Sequence, residues 1–317
     1  MMTAPRIQHL TETLPPIRGR IQADLPLAPI TWFRVGGPAE ALVRPADAAD
    51  LEGFLHALPH DVPIRVLGAC SNLIIRDGGL LGVTVRLARG FSTIKTEADG
   101  IIAGAAALDA TLAEHAAAAG LTGLEFLSGV PGTIGGAVAM NAGAYGGDIS
   151  QCLDWAELVT RSGETRRLSG RELHFSYRHA RIPPGGVITR VRLIARPGNP
   201  TGIAARMAEI RANREASQPV RARTGGSTFR NPELADAGGM KAWELIDSAG
   251  CRGLGRGGAR VSDKHCNFLI NEDNATAADL EGLGEEVRRR VFAASGITLE
   301  WEIHRIGVPG SKPEVVA

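Results

Sequence analysis

Between positions 129 and 147 the chain places seven glycines and one proline in 19 residues, with no Asp, Glu, Lys or Arg among them. Glycine at that density disfavours a regular helix or strand. The segment is therefore either a demanding turn or backbone cleared of side chains so that a ligand comes close. In the second case its N–H groups form an anion-binding nest. Ile134 and Val138 stand four apart, which predicts a short helix beginning near Thr133 with its positive end aimed at a phosphate. The run lacks GxGxxG after a strand with a later acidic residue, which disfavours a Rossmann site, and it lacks the GxxxxGK(S/T) loop of NTPases. A second tight turn over 68–79 offers further backbone donors. Two such loops suit an extended dinucleotide whose pyrophosphate spans both.

At 317 residues the chain is long enough for two or three domains. Apolar residues make up 44%, charged residues 22%, and the net charge is +1, so nothing points to nucleic acid or to a membrane surface. No apolar run is long enough to span a bilayer, and the first residues lack the apolar core of a signal peptide. Cys70, Cys152, Cys251 and Cys266 are widely spaced without a CxxC pair. They read as free thiols in a reducing compartment, so no metal site is expected and a cytoplasmic location is.

The periodicity is mixed α and β. Residues 1–30 are proline-rich and aperiodic and read as an N-terminal arm. Leu51, Phe54, Leu55 and Leu58 predict a helix over 47–58 that ends at Pro59, followed by strands over 64–67, 73–75 and 83–87. A helix over 108–119 closes at Gly120, strands follow over 155–160 and 187–195, and 196–200 reads as a linker. Beyond it come helices over 203–215, 242–249 and 276–296. A last strand over 298–306 sets Leu299, Trp301 and Ile303 on one face and Glu300, Glu302 and His304 on the other.

A set of collinear segments then carries a resemblance. Trp32-Phe-Arg-Val-Gly-Gly-Pro-Ala39, Leu67-Gly-Ala-Cys-Ser-Asn-Leu73 and the 129–146 run resemble the flavin domain of the UDP-N-acetylenolpyruvoylglucosamine reductase family, which is of the vanillyl-alcohol-oxidase-like, PCMH type. The similarity continues in order through Phe175-Ser-Tyr-Arg-His179, Gly226-Ser-Thr-Phe-Arg-Asn-Pro232, Ala242-Trp-Glu-Leu-Ile-Asp247, Ser262-Asp-Lys-His265, Phe268-Leu-Ile-Asn271 and Leu299-Glu-Trp-Glu-Ile-His-Arg-Ile-Gly307. It implies an α+β fold, with a two-subdomain FAD-binding domain over 31–197 divided near 92. A C-terminal α+β substrate-binding domain over 198–307 and a disordered tail over 308–317 complete the expected layout. It also implies a bound FAD, reduced by NADPH, that reduces the enolpyruvyl ether of a UDP-sugar to a lactyl ether in peptidoglycan precursor synthesis. A monomer is expected.

On matching positions the resemblance assigns Gly68, Ala69, Cys70, Ser71 and Asn72, with Gly129, Pro131, Gly132, Thr133, Gly135, Gly136, Ala137, Asn141 and Ala142, to the flavin. Cys70 departs from the family's Gly-x-Gly-Ser-Asn pattern. At positive φ a cysteine costs about 1 kcal/mol. A tolerated buried thiol is the favoured reading over a covalent thioether to the flavin.

Hydride reduction of an enol ether leaves enolate-like charge beside the substrate carboxylate, which calls for a cation, a hydrogen-bond donor and a proton source. The resemblance makes Arg178 the catalytic arginine, Ser227 the proton donor and Glu302 the catalytic glutamate. Without it these three read as a surface arginine, a turn serine and a solvated strand residue. Glu302 is expected to be protonated and to donate to the enolate, and Glu300 competes with it by one slip of register. Tyr177, Arg214, Gln218, Asn231 and His265 fall where the family contacts substrate; Tyr177 and His265 are as easily packing residues. Two other readings stay open: a different oxidase or dehydrogenase of the flavin superfamily, and a nucleotide-sugar-binding protein without redox chemistry.

Overall fold

The computed structural model describes residues 9–310, apart from residues 234 and 236. The first eight residues of the expected arm and residues 311–317 of the expected tail lie outside the described residues. Five strands open the fold: β1 (Arg20–Pro26), β2 (Pro38–Arg44), β3 (Ile64–Val66), β4 (Leu73–Ile75) and β5 (Leu80–Val85). Four of them form a sheet in the order β1-β2-β5-β3, with β1 antiparallel to β2 and the other pairings parallel. The expected arm thus contains an edge strand. Every residue of β1 is exposed or only half-buried, so it has no apolar alternation to read. Helix α1 (Ala48–Ala57) starts where the Asp47 carboxylate accepts the Asp50 N–H, and it stops at Leu58, the residue before Pro59.

The second body is an antiparallel sheet of β6 (Ile94–Glu97), β7 (Gly100–Gly104), β8 (Leu153–Val159), β9 (Thr165–Ser169) and β10 (Val187–Ile194), in the order β9-β8-β10-β7-β6. Strands β6 and β7 carry no clear sequence signal because Gly100 and Gly104 bound a run of only three apolar residues. Helices α2 (Asp109–Ala118) and α3 (Ile134–Ala139) share this sheet's core, which includes Ile101, Leu112, Ile134, Ala156 and Val191. The segment read as a linker is ordered: Arg196–Pro197 pairs with Leu121–Thr122. Asn199 accepts the N–H of Thr201 (2.9 Å) and so caps α4 (Pro200–Ser217). Ile203 and Met207 of α4 belong to the second core. This helix, expected in the third domain, packs on the second subdomain.

The third body contains α5 (Ala242–Ser248), the small sheet β11 (Gly255–Arg256), β12 (Ala259–Val261) and β13 (Leu269–Asn271), then α6 (Ala277–Ser295) and β14 (His304–Ile306). The α6 capping box of Thr276 and Asp279 and the left-handed Gly296 (φ +74°) fall where the sequence places them. Its stripe of Leu280, Leu283, Val287 and Val291 is buried. The expected strand over 298–306 is regular only at β14, although Leu299 and Ile303 are buried and Glu300 and His304 exposed, as the alternation requires. Trp301 instead makes an isolated bridge to Phe229.

This third body is fixed to the first. Strand β14 runs parallel to β4, and the Asp77 carboxylate accepts the N–H groups of Ala277 (2.9 Å) and Ala278 (3.0 Å) at the start of α6. Phe33 leaves the first subdomain and is fully buried in the third core, where Asn271 Nδ2 donates to its carbonyl (2.8 Å).

Candidate active site

The 68–72 turn and the 129–136 loop meet at the wall of a cavity of about 750 Å3. Gly68, Ala69, Thr133, Gly135 and Gly136 form one side of it, with Trp32, Arg34, Ile188 and Arg223 among the residues opposite and around. Glycine is required where the loops touch. A Cβ on Gly68 would lie 2.4 Å from Thr133 Oγ1, and one on Gly135 would lie 2.9 Å from the Ala105 Cβ. Ser71 Oγ donates to the Pro131 carbonyl (2.6 Å) and ties the loops together. Four arginines, Arg34, Arg86, Arg221 and Arg223, line the cavity, and no carboxylate does. Close-set backbone with a cationic, acid-free wall fits an extended anionic cofactor such as FAD.

The remaining residues expected at the flavin, Cys70, Ser71, Asn72, Gly129, Pro131, Gly132, Ala137, Asn141 and Ala142, do not line the cavity but hold its frame. Gly129 makes room for the Tyr145 ring, and Asn141 donates to the Ser176 carbonyl (3.2 Å) while accepting the Ser150 N–H (2.9 Å). Cys70 does adopt the costly positive φ of +54°. Its thiol is 4% exposed, donates to the Gly68 carbonyl and is pushed up to about 11 by burial, which is the state of an inert thiol.

A smaller cavity of about 250 Å3 gathers Tyr177, Arg178, Ser227, Asn231, His265 and Glu302 from four distant segments. Tyr177 and Arg178 form the tip of a turn whose flanks, Ser176 and His179, exchange both backbone hydrogen bonds (3.0 and 3.2 Å). Arg178 sits at φ +54°, a place glycine fills at lower cost, and strain of this kind concentrates at functional sites. Arg178 Nε donates to Glu302 Oε1 (2.6 Å) and Nη1 donates to the Gly143 carbonyl (2.9 Å). The Tyr177 hydroxyl donates to Glu302 Oε2 (3.4 Å). Ser227 is placed by its neighbour, since the Thr228 carbonyl accepts the Glu302 N–H (2.8 Å) and so sets the serine beside the glutamate.

Glu302 lines the cavity, whereas Glu300 is exposed and faces Arg230. Glu302 thus receives both the Arg178 guanidinium and the Tyr177 hydroxyl on its two carboxyl oxygens. His265 accepts the Asn267 N–H at Nδ1 (3.2 Å), and burial lowers its proton affinity, so its remaining proton is on Nε2. Asn231 Oδ1 accepts the Ala242 N–H (3.1 Å), which fixes the amide against α5. Lys241, Trp243, Phe229 and Asn267 also line this cavity. No spacing rule finds them in the sequence, although Phe229 and Trp243 lie inside motifs that carry the resemblance.

Arg214 and Gln218 are not brought to this cavity. Both lie at the end of α4, which docks on the second subdomain, and Arg214 is partly desolvated near Tyr145. Among the described residues no group of three His, Cys, Asp or Glu side chains is set to hold a metal ion. No helix there is long and apolar enough to cross a membrane.

Residues 39–169 match the family model for an FAD binding domain, and residues 218–306 match the one described as UDP-N-acetylenolpyruvoylglucosamine reductase, C-terminal domain. The reductase of that name from Acidiphilium cryptum is 65% identical over 98% of this chain and 98% of its own. The chain belongs to the UDP-N-acetylenolpyruvoylglucosamine reductase family. A second member, from Granulibacter bethesdensis, is 64% identical over 94% of each chain. The crystal structure of the Thermus caldophilus reductase superposes with a TM-score of 0.77 at 36% identity, covering 92% of this chain and all of the other. As a member of this family the chain is an FAD-dependent oxidoreductase, and the 750 Å3 cavity lies between the FAD-domain loops that the first match spans and residues at the start of the second.

Proposed function

We propose that this reductase uses NADPH to convert UDP-N-acetylenolpyruvoylglucosamine to UDP-N-acetylmuramate in cytoplasmic peptidoglycan precursor synthesis, with Arg178, Ser227 and Glu302 as its catalytic residues. The observation that carries the assignment is the Arg178–Glu302 ion pair beside Ser227, three groups brought together from segments up to 124 positions apart. Held in the cavity walled by Gly68, Ala69, Thr133, Gly135 and Gly136, FAD would supply the hydride chemistry between NADPH and the enolpyruvyl group. The chain supplies the rest. Arg178 binds the substrate carboxylate and offsets the charge that develops beside it. Ser227 gives its hydroxyl proton to the enolate carbon, a base strong enough to take it.

Glu302 orients Arg178 and Tyr177 in the free enzyme. When the substrate carboxylate draws Arg178 away, the glutamate loses its cation and faces a growing negative charge. In that complex it serves as the hydrogen-bond donor to the developing enolate that the resemblance implies. Asn231 and the Nε2–H of His265 face the polar end of the substrate. All of these groups come from one chain, so a monomer is sufficient.

Anaerobic half-reactions test the reading. The Ser227→Ala enzyme should bleach with NADPH at the normal rate, while its reoxidation by the enolpyruvyl UDP-sugar slows by at least about 100-fold, the usual size of a lost general acid. Normal reoxidation would dismiss the serine. An acid dependence of reoxidation that persists unchanged in Glu302→Gln would remove the proton-carrying role of that residue.

A further inference from the structure

Asp109, the first residue of α2, has no part in the chemistry above. It is 1% exposed, and neither carboxyl oxygen has a hydrogen-bond partner among the described residues. A Cβ on Gly132 would lie 2.6 Å from Asp109 Oδ2 and 3.8 Å from Ser71 Oγ, so the carboxyl sits under the point where the two flavin loops meet. Its neighbour Leu108 bridges to Thr133, and both of those residues line the flavin cavity. The acid is therefore one residue behind the cavity wall.

Among the described residues no charge compensates it. On α2 itself Glu114 is paired with Arg211 of α4, and His115 meets Thr96 at the surface. On β6, Glu97 pairs with Arg192 and Lys95 is exposed, while Glu125 is held by Thr122 and the Gly123 N–H. The 129–136 loop has no titratable residue, and in the 68–72 turn only the Cys70 thiol is one. Burial alone acts on the carboxyl and pushes it up to about 8. An unpaired aspartate is a poor structural element at this position, where any apolar residue avoids the desolvation. A group that must stay neutral is instead well placed to leave the arginine-lined cavity open to an anion.

We propose that Asp109 is a positioning residue for the cofactor: a neutral carboxylic acid beneath the cradle, whose ionisation sets a negative charge behind the loops and drives out the flavin diphosphate. The step transfers one proton from the carboxyl to solvent. Retention of FAD then becomes proton-linked, through a group that touches neither substrate nor the reacting atoms.

The holoenzyme is equilibrated between pH 6.5 and 9.5, free FAD is separated by ultrafiltration, and its fluorescence gives the dissociation constant. The constant should be flat to near pH 8 and then rise by about tenfold per pH unit. In Asp109→Asn the rise should vanish, with circular dichroism showing a folded chain in both. Asp109→Ser serves as the second neutral variant if the amide does not fold, and it too must be flat. The Cys70 thiol, pushed up to about 11, titrates outside this window. A wild-type constant that stays flat to pH 9.5 overturns the proposal, as does the same rise in a neutral variant.

Discussion

Replacing Asp109 by asparagine has a second consequence, which lies on the acid side of the same titration. The carboxyl moves from its ordinary 3.8 in the unfolded chain to about 8 in the folded one. The folded state thus binds the proton more tightly, and stability that is fully present below the unfolded value is lost as pH rises towards the folded one. Each pH unit in that interval removes about 1.4 kcal/mol. At pH 7 the loss relative to strong acid is about 4 kcal/mol, and it levels off near 5 to 6 kcal/mol above pH 8. For a protein whose whole stability is on the order of 10 kcal/mol, that is a heavy load for one side chain.

Asparagine keeps the shape and cannot ionise. Its own unpartnered amide costs something, but that cost is the same at every pH. The difference between Asp109→Asn and wild type should therefore grow by about 3 kcal/mol from pH 5 to pH 7, whatever its value at pH 5. Urea denaturation at fixed excess FAD measures it, and over this interval the proposed proton-linked release of flavin has not begun. All other titrations are common to the two proteins and cancel in the difference. Parallel stability–pH curves for the two proteins would refute the reasoning, because they would mean that Asp109 is either solvated or paired in the folded chain.

Other substitutions probe the frame around the second cavity. A Cβ on Gly225 would fall 2.3 Å from the ring of Phe33, which is fully buried and has nowhere to move. Gly225→Ala should thus lose about 1 to 3 kcal/mol by overpacking and shift Ser227 two residues on, with kcat falling more than FAD affinity in steady-state and flavin-binding assays. Arg178→Lys should keep flavin and the fold but lose most turnover, since an ammonium does not reproduce the planar fork that reaches Glu302 and the Gly143 carbonyl together; stopped-flow reoxidation checks it.

The helices were readable because their ends are written in side chains: Asp47, Thr276 with Asp279, and Gly296 each act locally. Strand β1 was not, since an exposed edge strand leaves no alternation, and β7 was hidden by its own glycines. Helix α4 is legible in the sequence, but the sheet it packs on is not. Its apolar face says that it docks, whereas the choice between two sheets depends on how Arg196–Pro197 pairs with Leu121–Thr122, which is non-local. Arg214 and Gln218 lie at the end of that helix and do not line the second cavity. At the candidate site, the resemblance located Arg178 and Glu302, yet their contact spans 124 positions and no periodicity announces it. Asp109 left no signal at all, because an acidic residue in the first turn of a helix is ordinarily a solvated partner of the dipole.

The two cavities are linked by a single turn. Asn72, four residues after the cavity-lining Gly68, donates from its amide to the Glu302 carbonyl (3.3 Å) and accepts the His304 N–H at its own carbonyl (3.1 Å). The turn that begins the flavin cradle thus holds the backbone on the C-terminal side of Glu302. Parallel pairing of β4 with β14 extends that grip, and Phe33 and Asp77 add anchors elsewhere in the third body. Arg178 reaches Glu302 from the second subdomain by side chain alone. Any opening of the site therefore separates Arg178 from Glu302 while Ser227 and Glu302 stay together, joined through Thr228. Hydride transfer tolerates little error in distance. Here the spacing between flavin wall and glutamate is set by backbone hydrogen bonds, and the arginine is the element free to follow the substrate.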